Sequence, residues 1–296
     1  MLLMRNKEGH AFGHCRQCGY SWQPGHVRNQ PVEERELYKK KFAEEQSKKK
    51  ESALMVFNRT RPWEVYHQSM GQRGVELWAD RLIPWRLIAY HKLGYKPDYR
   101  LKDGETTEAL TIPCFDNDGN CIQIYYRLQK PDDKGKYRQH YGLDPQLFIA
   151  DPDEPIDHIV ILLEGQIKAI VTMDILLGDA PARVGDVSEK DKELLKYSKR
   201  INVVAVPSCT PSLEILEPLK KAKTIIICFD PDTYYNRMGG KKDGELPIDR
   251  IVRLLHEQGN KDVRELRLFD KIDDMILAGH CEGMDIINLM RTAKRR

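Results

Sequence analysis

The residues best placed to do chemistry are three carboxylates at the ends of two short apolar runs. HIVILL leads into Glu164-Gly165, and TIIICF leads into Asp230-Pro231-Asp232. In open α/β sheets, ligands bind beyond the carboxyl ends of the strands, where the loops expose side chains. Gly165 lets the chain turn sharply and leaves Glu164 at the rim. The Asp-x-Asp spacing brings two more carboxylates to a neighbouring rim. Clustered carboxylates repel one another until a cation neutralises them. Hard oxygen ligands suit Mg²⁺ or Mn²⁺, and an incompletely filled shell leaves room for nucleotide phosphates. One-metal or two-metal phosphoryl transfer is the matching chemistry. Each element also has an ordinary structural use, since an Asp after a strand caps helices and Asp-Pro-Asp makes turns. Their occurrence at equivalent places in one sheet favours the metal site.

A second group is basic. Arg127, Lys130, Lys134, Lys136 and Arg138 are interleaved with Tyr125, Tyr126, Tyr137 and Tyr141. Cationic side chains neutralise phosphates and aromatic rings stack on unpaired bases, as a single-strand groove requires. Lys134, and one of the pair Tyr125 and Tyr126, are better explained as loop and core residues. A third group is Cys15-x-x-Cys18-Gly, half of a zinc ribbon in spacing. Zn²⁺ needs four ligands, so either the chain starts inside the module or His10 and His26 complete the site. Cys114, Cys121 and Cys228 are read as structural.

Stepping outward along the chain, residues 1–30 form the partial zinc-ribbon-like segment. Residues 31–60 are a charged linker or solvent-exposed helix. Residues 61–155 open with apolar residues at helical spacing, which predicts small helices and a turn at Gly94 to Pro97. They continue as a hairpin, LTIPCF and CIQIYYRL, turning through Asn117-Asp118-Gly119-Asn120. Residues 156–285 alternate strand and helix: HIVILL, a helix to Leu177, INVVAV, a helix over Ser212 to Lys221, TIIICF, the helix IDRIVRLLHEQG, and the strand VRELRLF. Strands apolar on both faces imply a parallel sheet covered by helices. Residues 286–296 read as a solvated basic tail.

Composition narrows the classes. With 41% hydrophobic and 31% charged residues, the chain is of ordinary globular type. Its apolar runs are too short to span a bilayer and no apolar leader follows Met1, so no membrane association and a cytoplasmic location are expected. Seven scattered cysteines fit a reducing compartment. A net charge of +3 says little about nucleic acid, so that case rests on local arrangement. No GxxxxGK[ST] phosphate loop is present, and a helicase motor is not expected within these residues.

The order Glu-Gly, a middle strand, then Asp-x-Asp resembles the Toprim fold of bacterial-type primases, topoisomerases and some nucleases. MGQRGVELWADRLIPWRLIAYHKLGYKP is similar to the helical start of primase cores, with its Arg-Gly pair and Gly-Tyr-x-Pro close. IPCFDNDGNCIQIYYRLQKP and KYRQHYG resemble the primase hairpin and the Lys-Tyr segment after it. KIDDMILAG resembles the segment downstream of the Toprim core in phage and plasmid replication primases. Residues 62 to 280 carry the resemblance. It implies an α/β fold with a Toprim-type parallel sheet flanked by helices, preceded by a mixed α+β primase subdomain and a partial zinc-ribbon-like segment.

The implied activity is a DNA primase: Mg²⁺- or Mn²⁺-dependent synthesis of short primers from nucleotide triphosphates on single-stranded DNA. Glu164, Asp230 and Asp232 would be catalytic metal ligands, with Asp273 or Asp274 supplementary. Arg127, Lys130, Lys136, Tyr137, Arg138 and Lys168 would contact nucleic acid or nucleotide. Zn²⁺ would sit on Cys15, Cys18, His10 and His26. A replicative helicase would act in trans. A Toprim nuclease and a non-catalytic nucleic-acid-binding replication factor are the alternatives; a topoisomerase lacks a nucleophilic tyrosine domain here. One position departs from the family pattern. Bacterial replicative primases carry an Asp four residues after the Glu, whereas EGQIK places Lys168 there, on the same helix face. Lys168 either holds a phosphate or marks weakened catalysis, and the number of metals is left open.

Overall fold

The LTIPCF and CIQIYYRL runs pair as expected. In the computed structural model, which describes residues 2–5, 11–14, 21–22, 32–116, 118–132, 135–177, 200–235 and 244–296, β5 (Thr106–Phe115) and β6 (Cys121–Asp132) are antiparallel neighbours. Gly119 supplies the left-handed residue of the turn at φ +78°. The hairpin is the middle of a four-stranded sheet, with β4 (Gly94–Arg100) on one side and β7 (Gly135–Gln139) on the other. Gly94 to Pro97 is therefore the start of a strand and not a turn. Proline disfavours the helical conformation of the residue before it, which suits Lys96 to an extended strand. The reversal falls earlier, where Lys92 adopts φ +49°.

The chain divides into two compact units, residues 1–55 and 56–296. In the first, β1 (Leu2–Arg5), β2 (Ala11–His14) and β3 (Ser21–Trp22) form a three-stranded antiparallel sheet. The charged block forms most of helix α1 (Val32–Thr60), whose boundary with the second unit falls inside it. Cys15, Cys18, His10 and His26, proposed for zinc, lie outside the described residues, as does Lys134.

Three short helices open the second unit: α2 (Pro62–Gln68), α3 (Gly71–Ala79) and α4 (Trp85–Tyr90). The Arg73-Gly74 pair has a packing reason. A Cβ on Gly74 would stand 2.8 Å from the Tyr95 Cβ and 2.7 Å from the Met70 sulfur, so only glycine lets α3 lie on β4. Arg73 then reaches Glu108 of β5 through two hydrogen bonds of 3.1 Å.

The strand-helix alternation becomes a six-stranded sheet ordered β13-β12-β11-β9-β10-β8. At its centre β9 (Ile159–Glu164) runs parallel to β10 (Ile201–Val206) and β11 (Thr224–Ile227), and β11 runs parallel to β12 (Val263–Glu265). Both edges are antiparallel: β8 (Phe148–Ile149) and β13 (Lys294–Arg295). The strands alternate faces. Ile161, Leu163, Val203, Ala205 and Ile226 pack with α5 (Gln166–Leu177), α8 (Ile272–Leu277) and α9 (Gly283–Thr292). Val160, Leu162, Val204, Val206, Ile225 and Ile227 pack with α6 (Leu213–Leu216) and α7 (Pro247–Glu257). Burial on both faces is what made these strands read as continuous apolar runs.

Three sequence expectations change in detail. The helix over Ser212 to Lys221 is α6 followed by a 3₁₀ turn, Glu217–Lys221, because Pro218 cannot donate to a continuing α-helix. VRELRLF contributes only three strand residues. The residues read as a solvated tail are structural: Ile286, Ile287 and Met290 are buried, and Arg296 pairs with Glu265 at 3.1 Å.

Gly165 joins β9 to α5 at φ +94°, and a Cβ there would meet open space. Gly165→Ala is expected to cost about 1–2 kcal/mol through backbone strain alone, read as a shift in the urea midpoint without a change in slope.

Candidate active site

Adjacent registers explain why the carboxylates meet. Ile227 of β11 stands beside Leu162 of β9, and the Cys228 amide donates to the Leu162 carbonyl at 2.9 Å. Glu164 and Asp230 therefore leave the same end of neighbouring strands. Asp230 precedes a 3₁₀ turn, Pro231–Tyr234, held by Thr233, whose amide and hydroxyl donate to the Asp230 carbonyl at 3.0 and 2.7 Å. That turn carries Asp232 outward into solvent. Burial first, then the charges of Asp230 and Asp232, push the Glu164 carboxyl above its ordinary pKa. The Cys209 amide donates to Glu164 and partly offsets this.

The fourth carboxylate is Asp273, in the first turn of α8. It is raised mainly by burial and interacts with Lys168, Asp274 and Asp230. Of the supplementary pair, Asp273 faces the site and Asp274 is exposed. Two ammonium groups answer the cluster. Lys168, in the first turn of α5, hydrogen-bonds Asp230 Oδ1, and Lys271 Nζ lies 3.9 Å from Asp230 Oδ2.

Among the described residues, no three His, Cys, Asp or Glu side chains stand together in finished metal-ligand geometry. The physical reason is at hand: Lys168 is bound to Asp230, which the sequence suggested as a ligand. The donor set still fits Mg²⁺, which is commonly held by one or two carboxylates and otherwise by water and phosphate oxygens. Glu164 and Asp232 have no ammonium within ion-pair distance among the described residues.

The basic residues divide by the pleat. Tyr125 and Tyr126 are both buried, at 1% and 4% exposure, so neither ring is available to a base. Tyr125 donates to the Gln146 carbonyl, and Tyr126 shares a hydrogen bond with His140. Arg127 is likewise buried. It pairs across the strands with Tyr137, hydrogen-bonds that side chain, and interacts with Arg81 and Asp273. Lys130 is exposed and bridged to Glu105 at 2.6 Å. Lys136 and Tyr141 are exposed, Tyr137 is 39% exposed, and Arg138 donates to the Tyr137 carbonyl. A cleft of about 300 Å³ lies between Tyr125, Tyr137, Arg138 and Gln139 on one side and Gln166 and Pro207 on the other. Pro207 directly follows β10 and Gln166 lies two residues past Glu164, the end of β9, so this cleft adjoins Glu164.

Arg81, Lys271 and Gln166 were not singled out from sequence. Lys271 opens the KIDDMILAG segment but was given no role there, and no local signal marks the other two; packing shows that Arg81 lies by Arg127, Lys271 by Asp230, and Gln166 in the cleft wall. Tyr137→Phe is expected to cost about 1–2 kcal/mol, because a buried guanidinium loses a hydrogen-bond partner, with stability measured by chemical denaturation.

No family model and no curated protein matches the sequence. Solved structures do. The zinc-binding and RNA polymerase domains of the Aquifex aeolicus primase superpose with a TM-score of 0.55 at 16% identity, covering 93% of this chain. This chain spans about 64% of the length of that one. The fold is similar to that of primase catalytic cores. A DnaG primase catalytic domain bound to single-stranded DNA gives 0.54 at 15% identity, over 85% of this chain and 83% of its own. The E. coli primase catalytic core gives 0.55 at 13% identity, over 82% and 80%. Among the described residues, no helix is long and apolar enough to cross a membrane.

Proposed function

We propose that this chain is a primase that copies single-stranded DNA into short primers, joining nucleotide triphosphates by divalent-metal-dependent nucleotidyl transfer at a Toprim-type site. One observation carries the reading: in a primase-like fold, a partly buried acidic cluster adjoins a cleft whose other wall holds Tyr137 and Arg138. In the reaction a 3′-hydroxyl attacks the α-phosphorus of the next triphosphate and pyrophosphate leaves. Glu164 and Asp232 would hold the metal ion, which supplies electrostatic stabilisation of the charge developing on the phosphoryl oxygens. Lys271 suits neutralisation of the leaving phosphates, its half-exposed ammonium standing 3.9 Å from Asp230, and the exposed Arg81 beside Arg127 would extend that positive charge. Lys136, Arg138 and Tyr141 suit the template, since ammonium and guanidinium groups follow a backbone while an open ring stacks on bases. Arg127 acts behind them, holding Tyr137 in place.

We further infer that Cys15 and Cys18, with His10 and His26, bind Zn²⁺, and that a separate helicase supplies the opened strand. Zinc content of purified protein before and after Cys15→Ser tests the first.

The Lys168–Asp230 pair favours a second reading, a nucleic-acid-binding replication factor without catalysis. Incubation with homopolymeric single-stranded DNA, labelled nucleotide triphosphates and Mg²⁺ or Mn²⁺ separates the two. Short products containing only the complementary nucleotide support the primase. DNA binding without products supports the binding factor, and shortening of the input strand would instead identify a nuclease.

A further inference from the structure

Lys168 occupies an unusual position for a lysine. Its side chain is 14% exposed, and its partner Asp230 is 16% exposed. A buried ammonium costs several kcal/mol in lost hydration unless opposite charge answers it. Here the answering charge is the acidic cluster itself. Lys168 hydrogen-bonds Asp230 and interacts with Glu164 and Asp273. The turn at Gly165 fixes the route there: Glu164 closes β9, α5 begins at Gln166, and Lys168 in its first turn lies over the strand ends that carry Glu164 and Asp230.

Charge decides the consequence. Four carboxylates, Glu164, Asp230, Asp232 and Asp273, against the ammonium groups of Lys168 and Lys271 leave the charge that one divalent ion balances. Two divalent ions would leave the site net positive before any phosphate arrived, and would have to displace Lys168 from Asp230.

We propose that Lys168 is a built-in counter-cation that takes the place of one divalent ion, so that the site binds a single metal on Glu164 and Asp232. This rests on the reading of those carboxylates as metal ligands. Asp230 then serves as a positioning residue that anchors the ammonium, and Lys168 offers a fixed positive charge to the triphosphate where a second ion would otherwise sit.

The test is the stoichiometry of Mn²⁺ bound by the full chain without nucleotide, read from the loss of the free-ion paramagnetic resonance signal. Wild type is expected to bind about one ion, and Lys168→Asp about two, because a carboxylate replaces the ammonium and Asp230 is released. Lys168→Met, which keeps the apolar stem, covers the case in which the acidic variant does not fold. It is expected to gain a second ion and to melt lower than wild type without metal, with Mn²⁺ restoring the difference. Lys271→Met, which removes a half-exposed ammonium, is expected to stay at about one. Two ions on wild type would overturn the inference, as would an unchanged single ion in both Lys168 variants, or a second ion gained equally by Lys271→Met. Two ions together with primer synthesis would defeat the counter-cation while leaving the primase reading intact. No Mn²⁺ on any variant would defeat both.

Discussion

Asp232→Asn is expected to lower primer synthesis by about 10³-fold while leaving single-stranded DNA affinity within about twofold, a loss of about 4 kcal/mol of transition-state stabilisation. The size follows from what the substitution removes. Asparagine keeps the shape but withdraws the negative charge and one strong oxygen ligand from a site expected to hold its ion through two carboxylates. The fold does not depend on that side chain. The 3₁₀ turn is fastened by Thr233 to the Asp230 carbonyl and by the Tyr234 hydroxyl to the Leu266 carbonyl at 3.3 Å. Asp232 itself points to solvent, so the melting temperature should be unchanged. DNA affinity should also hold, because Lys136 and Arg138 sit on β7 and not on the acidic turn. Synthesis that survives within tenfold would remove Asp232 from the metal site. A parallel collapse of DNA binding would show that the turn belongs to the template surface instead. The companion change Glu164→Gln should also abolish synthesis yet raise the stability of the metal-free protein, because it neutralises a carboxylate whose pKa is pushed up by burial and by two neighbouring charges.

Much of this site was legible because strand ends are legible. A short β-rich run closed by Glu-Gly or Asp-Pro-Asp states both the element and which residue leaves its end, and parallel pairing brings the two ends together. Lys168 was noticed four residues on from Glu164, though Glu164 closes β9 and only Lys168 is on the helix. Its actual partner was not, since i+4 spacing gives a face but no distance. The basic interleaving was harder. In a strand packed on both faces, aromatic residues are buried on either side of the pleat, so Tyr125 and Tyr126 both became core when only one was expected there. Arg127 looked like its neighbours in sequence, yet its strand position turned it inward toward Tyr137. Arg81 carries no pattern of its own, and Lys271 stood in the KIDDMILAG segment without an assigned role; the fold sets Lys271 beside Asp230 and Arg81 beside Arg127. The C-terminal basic run misled for a related reason: charge dominates its composition, while the buried Ile286, Ile287 and Met290 that fix α9 are spaced among polar residues.

Trp78→Ala is expected to destabilise the second unit by about 3–5 kcal/mol, the range for deleting a large buried aromatic. Trp78 has no exposed surface, and its indole N–H donates to the Gly94 carbonyl at 3.2 Å. It thereby fixes α3 against the first residue of β4. Gly94 is itself closely packed, since a Cβ there would lie 2.5 Å from the Thr111 hydroxyl and 2.8 Å from the Tyr66 backbone. Trp78→Phe divides the effect. It keeps most of the packing but leaves a buried carbonyl without its donor, which costs about 1–3 kcal/mol. The consequence reaches the site, because Arg81 follows α3 by two residues and its loop is set by the left-handed Leu82 at φ +60°. Triphosphate affinity is therefore expected to weaken in Trp78→Phe under conditions where the protein remains folded, while Mn²⁺ stoichiometry stays the same. A cost below about 1 kcal/mol for Trp78→Ala would show that the helices do not depend on this contact. An unchanged triphosphate affinity in Trp78→Phe would detach Arg81 from nucleotide binding.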